Sequence, residues 1–248
     1  MERILAIFPH PDDAVLNAGG AMARWVEEGA EVTALCVTSG DLGTLDRSAT
    51  RQQVAQKREA ELLAAHEILG IRRTTFLRHP DGGTRECAAD VYRDLVRVIR
   101  EVRPDTVLSL DPWARYEVHP DHDTVARLAT EASAFACFPL LFPEQVNAGL
   151  EPYQPSECWL MGLLGREPNC RLNIEPQLDR KVQAILQFEA SLNTLDGMFG
   201  AGAPPGTLQE RADDWVRSLA RDAGEPVGLE AAEAFFMLPC LPGHFAVS

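Results

Sequence analysis

Short apolar runs alternate with helical segments over residues 1–140, and this alternation restricts the fold more than any other feature. The runs typical of strands are Arg3–Phe8, Glu31–Thr38, Thr74–Leu77 and Thr106–Leu110. The segments with helical spacing of apolar residues are Val15–Glu28, Ser48–Leu69, Ala88–Val102 and Asp121–Ala136. Strands that alternate with helices predict an α/β fold, with a mostly parallel sheet and helices on both faces.

The remaining residues are less regular. The predicted elements are strands at Cys158–Leu164, Arg171–Ile174 and Ala234–Leu238 and helices at Gln177–Asn193 and Leu208–Asp222. A stretch rich in glycine and proline, Gly197–Gly206, interrupts them and indicates either a mobile loop or a subdomain boundary. The length of 248 residues suits one large domain or two small ones.

Charge and cysteine usage exclude several classes of protein. With 23 basic and 37 acidic residues, the net charge is −14, which disfavours a nucleic-acid partner. No apolar stretch is long enough to span a membrane, and the N-terminus lacks the pattern of a signal peptide. Six scattered cysteines without a C-x-x-C pair indicate buried thiols, so we expect a protein of the reducing cytoplasm.

Polar clusters follow each of the four N-terminal strands. They are His10–Asp13, Ser39–Asp41, His79–Gly82 and the pair Asp111–Trp113 and His119–His122. In an open parallel sheet, ligands bind beyond the carboxyl ends of the strands, so we expect these clusters to share one edge.

A metal site explains these clusters better than helix capping does. Asp12 and Asp13 are suited to cap the helix that follows them, and Asp121 is suited to cap the next one. Capping alone leaves the histidines beside these aspartates unexplained. Three ligands of the His/Asp type with one open position form the zinc site that catalysis needs.

The residue types also indicate the chemistry. Zinc makes water a nucleophile at neutral pH, and a neighbouring carboxylate, here Asp12, is able to accept the proton of that water. His119, three residues before His122, is the candidate to stabilise an oxyanion or to protonate the leaving amine. Gly19-Gly20 lacks the spacing of a dinucleotide-binding loop, so metal-assisted hydrolysis is the favoured interpretation.

These residues resemble the LmbE-like, or PIG-L, N-acetylglucosaminyl deacetylases. The resemblance rests on His10-Pro11-Asp12-Asp13 and His119-Pro120-Asp121-His122, and it extends over most of the chain. Further matching positions are Gly19-Gly20, Thr38–Gly43, Arg58-Glu59, Asp81-Gly82, Arg103–Asp105, Lys181 and Glu233–Phe235. Within the family, Asp111–His122 and Met237–Phe245 look most like the diacetylchitobiose deacetylases.

The resemblance implies a Rossmann-like three-layer sandwich formed by one domain, residues 1–248, in which 141–248 completes the pocket and oligomer contacts. It implies one zinc ion per chain, held by His10, Asp13 and His122. It assigns Asp12 as general base and His119 as the acid or oxyanion partner, and it matches Arg58 and Asp81 to positions that hold sugar hydroxyls. The expected activity is removal of the N-acetyl group from N-acetylglucosamine-type sugars such as diacetylchitobiose. The expected assembly is a homo-oligomer, a hexamer or trimer.

Other roles stay open for several residues. Arg58 is also placed to pair with Glu61, one turn along a solvated helix face. Asp81 before Gly82-Gly83 is also ordinary turn chemistry. Asp121 either caps its helix or orients a histidine ligand.

Other functions stay open as well. The same scaffold serves deacetylases and amidases of thiol-cofactor or antibiotic amino-sugar precursors, and it serves hydratases. A zinc-bearing sugar-binding protein without turnover is a third possibility. The family usually has Glu where this chain has Ala14, near the expected pocket, which bears on the choice of substrate. His244 is either a surface residue or one that reaches a neighbouring subunit's site.

Overall fold

The computed structural model describes residues 1–162, 166–199 and 205–245. Within them, eight strands form one sheet: β1 (Arg3–Phe8), β2 (Glu31–Thr38), β3 (Arg73–His79), β4 (Thr106–Leu110), β5 (Glu157–Met161), β6 (Cys170–Asn173), β7 (Ala232–Leu241) and β8 (His244–Phe245). The helices are α1 (Asp13–Glu27), α2 (Arg51–Leu69), α3 (Ala88–Val102), α4 (Pro120–Phe135), α5 (Pro143–Asn147), α6 (Leu178–Ile185), α7 (Glu189–Phe199) and α8 (Leu208–Gly224).

The strand order is β3-β2-β1-β4-β5-β7-β6, and β8 pairs with β7. The strands β1 to β5 run parallel, while β7 is antiparallel to β5, β6 and β8. The predicted α/β architecture with a mostly parallel sheet is therefore confirmed. The carboxyl ends of β1 to β4 meet at one edge, as the sequence predicted.

Strand β1 shows why the sheet has helices on both faces. Its side chains alternate between two apolar layers, because successive residues of a strand point to opposite faces. Ile4, Ala6 and Phe8 pack with α1 and α2, whereas Leu5 and Ile7 pack with α3 and α4. Burial on both faces requires a nearly continuous apolar strand, which is the pattern of β1 and β4.

The predicted helix Gln177–Asn193 is wrong, because the structure divides it into α6 and α7. After Ile185 the backbone hydrogen bonds change from the i→i−4 pattern of an α-helix to the tighter i→i−3 pattern. The side chain of Phe188 then points into the core, where it is fully buried. Helix α7 then begins where the backbone N–H of Ala190 donates to the carboxylate of Glu61. Tertiary contacts therefore override a helical pattern that contains no glycine or proline.

The other differences are smaller. Thr50 forms a capping box with Gln53, so α2 begins at Arg51 rather than at Ser48. Helix α5 and strand β8 were not predicted. The end of the predicted strand at Leu164 and residues 200–204 of the Gly197–Gly206 stretch lie outside the described residues.

All six cysteines are free, but only Cys36, Cys158 and Cys240 are buried; the other three are half-buried, contrary to the prediction. None of the helices in the described part of the chain is both long and apolar enough to cross a membrane.

Candidate active site

The loop after β1 is fixed by its neighbour strand. The backbone N–H and the hydroxyl of Thr38, the last residue of β2, both donate to the carbonyl oxygen of Pro9, at 3.0 and 2.9 Å. The backbone N–H of His10 then donates to Asp13 Oδ2 at 2.8 Å. These bonds hold the side chains of His10 and Asp13 at the edge of the sheet.

Two imidazole nitrogens and the carboxylate of Asp13, which contributes both of its oxygens, form a compact triangle at this edge. His10 Nδ1 lies 3.2 Å from Asp13 Oδ2 and 3.2 Å from His122 Nε2, and His122 Nε2 lies 3.3 Å from Asp13 Oδ1. Tetrahedral zinc with bonds of about 2.0–2.1 Å would place neighbouring ligand atoms about 3.3 Å apart. The three residues therefore fit a zinc ion in chemistry and lie close to the required spacing. In the described residues, His10, His119 and His122 form a second set whose nitrogens lie close enough together to hold a metal ion.

The charges around the triangle favour a cation. Burial alone would lower the pKa of His10, but hydrogen bonds to Asp121, Asp13 and Asp81 raise it well above its ordinary value. Burial likewise opposes a charge on His122, yet its hydrogen bond to Asp13 raises its pKa to about 9. The same contacts hold the pKa of Asp13 far below its usual range, despite burial. The site thus attracts protons when no metal is bound.

The histidines of the triangle use opposite nitrogens. His10 faces the triangle with Nδ1, and its Nε2 contacts Asp81 at 3.1 Å and Asp121 at 3.3 Å. His122 faces it with Nε2, and its Nδ1 contacts Glu117 Oε2 at 3.0 Å. In each ring a carboxylate thus holds the nitrogen that points away from the triangle.

Asp121 does not cap α4. Its side chain is fully buried and accepts hydrogen bonds from the backbone of Gly82 (2.7 Å) and from the hydroxyl of Thr84 (2.6 Å). The cap is His119, whose Nδ1 accepts from the backbone N–H of Asp121 at 3.3 Å. The capping alternative for Asp121 is therefore wrong, and its side chain contacts His10 instead.

Asp81 is also buried and already has partners. Its Oδ1 contacts His10, and its Oδ2 accepts from the backbone N–H of Leu42 at 2.8 Å. The role of Asp81 toward sugar hydroxyls stays a prediction.

His119 completes a cluster of three rings. Its ring stacks on that of His122 and meets that of His10 edge-on, with both centroids 4.6 Å away. Burial lowers the pKa of His119, and the positive charge of the other two histidines lowers it further. His119 is therefore the ring of the cluster that favours the neutral form.

Arg58 reaches into the site from α2. Its guanidinium is buried and donates to Asp12 Oδ1 and to the carbonyl oxygen of Gly40, both at 2.8 Å, and to Ser191 Oγ at 3.2 Å. The alternative that Arg58 pairs with Glu61 on a solvated face is wrong. The side chain of Asp12 makes no capping bond to α1, so the capping alternative for Asp12 is wrong too.

Glycine at positions 40 and 43 makes this arrangement possible. A Cβ atom at Gly40 or at Gly43 would overlap the guanidinium of Arg58, and Gly40 also has a φ of +63°. The loop after β2 therefore closes on Arg58 only because it carries no side chain at these positions.

A cavity of about 270 Å³ opens onto this cluster. It is lined by His10, Asp12, Asp13, Leu42, Gly43, Arg58, Asp81, His119 and His122. Every predicted site residue except Asp121 lines it, and Asp121 contacts His10 from behind. Ala14 is fully buried in the apolar layer and is not part of this lining.

Three residues that were not predicted as site residues, Glu117, Thr84 and Ser191, each contact one that was. For Glu117 a signal was present, namely an acidic residue five positions before a histidine ligand. Ser191 carried no signal, because its position depends on the break between α6 and α7.

Comparisons with known proteins identify the family. The model described as PIG-L: GlcNAc-PI de-N-acetylase matches residues 5–133. Diacetylchitobiose deacetylase of Thermococcus kodakarensis is 30% identical over 241 residues, which are 96% of this chain and 84% of that protein. A 1D-myo-inositol 2-acetamido-2-deoxy-alpha-D-glucopyranoside deacetylase of Kribbella flavida is 34% identical over 165 residues, 54% of each chain.

A solved structure agrees with these matches. The chain is similar to N,N'-diacetylchitobiose deacetylase from Pyrococcus horikoshii complexed with its inhibitor MPG, with a TM-score of 0.84 and 30% identity. The similarity covers 98% of this chain and 84% of the other. The chain therefore belongs to the PIG-L family of de-N-acetylases and is an N-deacetylase.

Proposed function

We propose that this protein hydrolyses the N-acetyl group of N-acetylglucosamine-type sugars such as diacetylchitobiose, with one zinc ion per chain. The triangle formed by His10, Asp13 and His122 supports this proposal most strongly. Its edges match a tetrahedral zinc site, and it faces a cavity that also contains Asp12 and His119. The relatives that act on acetylated glucosamines support the substrate class.

In the proposed mechanism, His10, Asp13 and His122 hold the zinc ion. When bound, zinc supplies a Lewis acid and makes water a nucleophile at neutral pH. Asp12 accepts the proton of the attacking water, and Arg58 fixes the carboxylate of Asp12 through the 2.8 Å bond.

His119 serves as the acid or oxyanion partner in this proposal. It lies against both histidine ligands without belonging to the triangle, and its neutral ring is suited to donate a hydrogen bond to an oxyanion. To act as the acid toward the leaving amine, it would first take up a proton. Arg58 and Asp81 hold sugar hydroxyls at the cavity wall. The oxygens of Asp81 each keep a lone pair for this purpose, since a carboxylate accepts up to four hydrogen bonds.

We also propose a single domain over residues 1–248 and, from the family resemblance, a homo-oligomer located in the cytoplasm. Six free cysteines are consistent with a reducing compartment. The net charge of −14 suits an uncharged sugar substrate better than a polyanion.

Acetate release from a panel of N-acetylated sugars tests the proposed reaction. We expect zinc-loaded protein to release acetate from N-acetylglucosamine or diacetylchitobiose, and a chelator to abolish this activity. Replacing His122 with Ala should remove both stoichiometric zinc and turnover. Asp123→Asn is the matched control, because the partly exposed Asp123 pairs with Arg85 and Arg127 and, among the described residues, with no proposed metal ligand.

Two results would contradict the proposal. One is a zinc-loaded protein that releases no acetate from any amino sugar in the panel. The other is His122→Ala with its zinc retained, which would remove His122 from the ligands. Activity on a thiol-cofactor or antibiotic precursor, or water addition to an alkene, would redirect the assignment to one of the alternative chemistries.

A further inference from the structure

Glu117 joins two histidines of the site through one carboxylate. Its Oε2 lies 3.0 Å from His122 Nδ1, and its Oε1 accepts a hydrogen bond of 2.8 Å from the backbone N–H of His119. Its side chain is about a quarter exposed, at 26%. Glu117 does not line the cavity, so it acts on the site only through these two residues.

The contact with His122 determines which nitrogen of that ring is available as a ligand. A carboxylate accepts hydrogen bonds, so Glu117 requires a proton on Nδ1 and thereby leaves the lone pair of Nε2 toward the triangle. His10 presents the opposite nitrogen, because Asp81 and Asp121 hold its Nε2. His10 thus has two carboxylates behind it, whereas the only carboxylate at the far nitrogen of His122 in the described residues is Glu117.

The conformation of the loop before α4 places the side chain of Glu117 next to His122. Asp111 Oδ1 accepts from the backbone N–H of Trp113 at 2.9 Å, which starts the loop with a turn. Tyr116 then adopts a φ of +66°, although its side chain is 90% exposed and packs against little. This conformation costs about 1 kcal/mol in a residue other than glycine. Strain of this kind next to a site is retained where it positions a functional group.

We propose that Glu117 is a positioning residue that orients His122 for metal binding and fixes the backbone that carries His119. This inference rests on the proposed metal site. Partners behind a histidine ligand fix its tautomer and ring orientation, and their loss weakens metal binding about 10- to 100-fold. Among the described side chains, only that of Glu117 makes hydrogen bonds to both residues.

Metal affinity tests this role without any substrate. We would measure the zinc Kd of the wild type, Glu117→Ala, Glu117→Gln and the matched control Asp123→Asn by competition with a chromophoric chelator. Asp123 is an exposed carboxylate next to His122 that contacts no ligand. We expect the Kd to rise about 10- to 100-fold in Glu117→Ala and to stay within about threefold in the control.

A conservative variant and a spectrum separate orientation from general loss of structure. Gln at position 117 keeps one oxygen that accepts from His122 Nδ1–H. Its NH2 group, which is a donor, then faces the backbone N–H of His119, which is also a donor. We therefore expect Glu117→Gln to recover part of the affinity lost in Glu117→Ala. The visible absorption of the cobalt-loaded proteins should change in Glu117→Ala, because the geometry of His122 changes, while the thermal unfolding of the metal-free proteins should differ little.

Three outcomes would overturn the inference. One is wild-type zinc affinity together with an unchanged cobalt spectrum in Glu117→Ala. Another is an equal loss of affinity in Glu117→Ala and Asp123→Asn, which would indicate a general effect of charge. A wild-type protein that takes up no metal would overturn the proposed function and this inference with it, so the two failures are distinguishable.

Discussion

Two charged clusters, one at the edge of the sheet and one in the interior, differ in a way that separates function from stability. One is the edge cluster of His10, Asp13 and His122. The other, which we call the interior pair, consists of Lys181 on α6 and Glu233 on β7. Lys181 Nζ lies 2.7 Å from Glu233 Oε1, and both side chains are almost completely buried.

The carboxylate of the interior pair finds its hydrogen-bond donors within the protein. Helix α1 is interrupted at Ala18, where φ is −145°, so the N–H groups of Gly20 and Ala21 begin a new helical stretch without partners in α1. Glu233 accepts from both of them, at 2.9 and 2.7 Å, in addition to Lys181. Gly20 allows this contact because a Cβ there would overlap Ile174.

The edge cluster is not satisfied in this way. Its two imidazole nitrogens face one another at 3.2 Å, and such a contact requires either an added proton or a shared cation. It also opens onto a cavity. Burial of charge alone therefore does not identify a functional site. A cluster whose hydrogen-bond donors and acceptors do not match one another indicates such a site.

The largest expected effect follows from replacing Asp12, the proposed base, which lies beside the edge cluster. Asp12→Asn keeps the size of the side chain but removes its capacity to accept a proton. We expect kcat to fall about 10²- to 10⁴-fold, the usual contribution of a general base. Zinc content should remain that of the wild type, because Asp12 is not part of the triangle. Steady-state acetate release and metal analysis of the same sample measure both.

Arg58→Gln provides the comparison for Asp12→Asn. It leaves the base in place but removes the charged donor to Asp12 Oδ1. We expect a smaller loss of kcat than in Asp12→Asn. Wild-type turnover in Asp12→Asn would show that Asp12 is not the base.

The interior pair should affect stability rather than catalysis. Lys181→Met leaves Glu233 charged and buried with two backbone donors only, which should lower the free energy of unfolding by about 3–5 kcal/mol. The double variant Lys181→Met/Glu233→Gln should recover part of this loss, since the glutamine is neutral. Urea unfolding measures both, and zinc bound per folded molecule should not change. A large loss of zinc in folded Lys181→Met would show that the interior pair affects the metal site and not stability alone.

Local patterns were sufficient for much of the fold. Strands β1, β2 and β4 and helix α3 have the bounds predicted from sequence. The strands are short apolar runs, α3 has a clear helical period, and each segment has a clear end, such as Pro104 after α3. The convergence of the four polar clusters followed from the parallel sheet alone. The break at Phe188 did not follow, because burial of that ring and the bond from Ala190 to Glu61 are tertiary contacts.

Partners of site residues were harder to predict than their positions. Arg58 reaches Asp12 because Gly40 and Gly43 leave room for its guanidinium, which depends on how the loop after β2 folds. Glu117 reaches His122 because Tyr116 adopts a left-handed conformation that tyrosine rarely has. Neither conformation is encoded in a local pattern, so residue spacing alone did not reveal these contacts.

The second buried histidine, after His10, sharpens the comparison and gives the smallest effect. His66 in α2 contacts the hydroxyl of Thr74 through Nδ1 at 2.8 Å and has no carboxylate partner within the described ranges. Burial lowers its pKa to about 4. The unfolded chain therefore takes up this proton near pH 6.5, well before the folded protein does. The contribution of neutral His66 to the free energy of unfolding is fully present above pH 6.5. It is lost as the pH falls toward 4, by about 3 kcal/mol in total.

His66→Asn removes this titration while its amide keeps a hydrogen-bonding group near Thr74. We expect the variant to be less stable than the wild type at pH 7.5 and to approach it at pH 4.5, because only the wild type loses the His66 contribution. Urea unfolding of both proteins with a chelator present measures this, since His10 and His122 then contribute equally to both. The edge histidines, whose pKa values are raised, stabilise the metal-free protein at low pH instead. If the free energies of unfolding of the two proteins depended on pH in parallel, His66 would not be held neutral in the folded protein. A buried histidine without a carboxylate partner would then not differ in protonation from the histidines of the edge cluster.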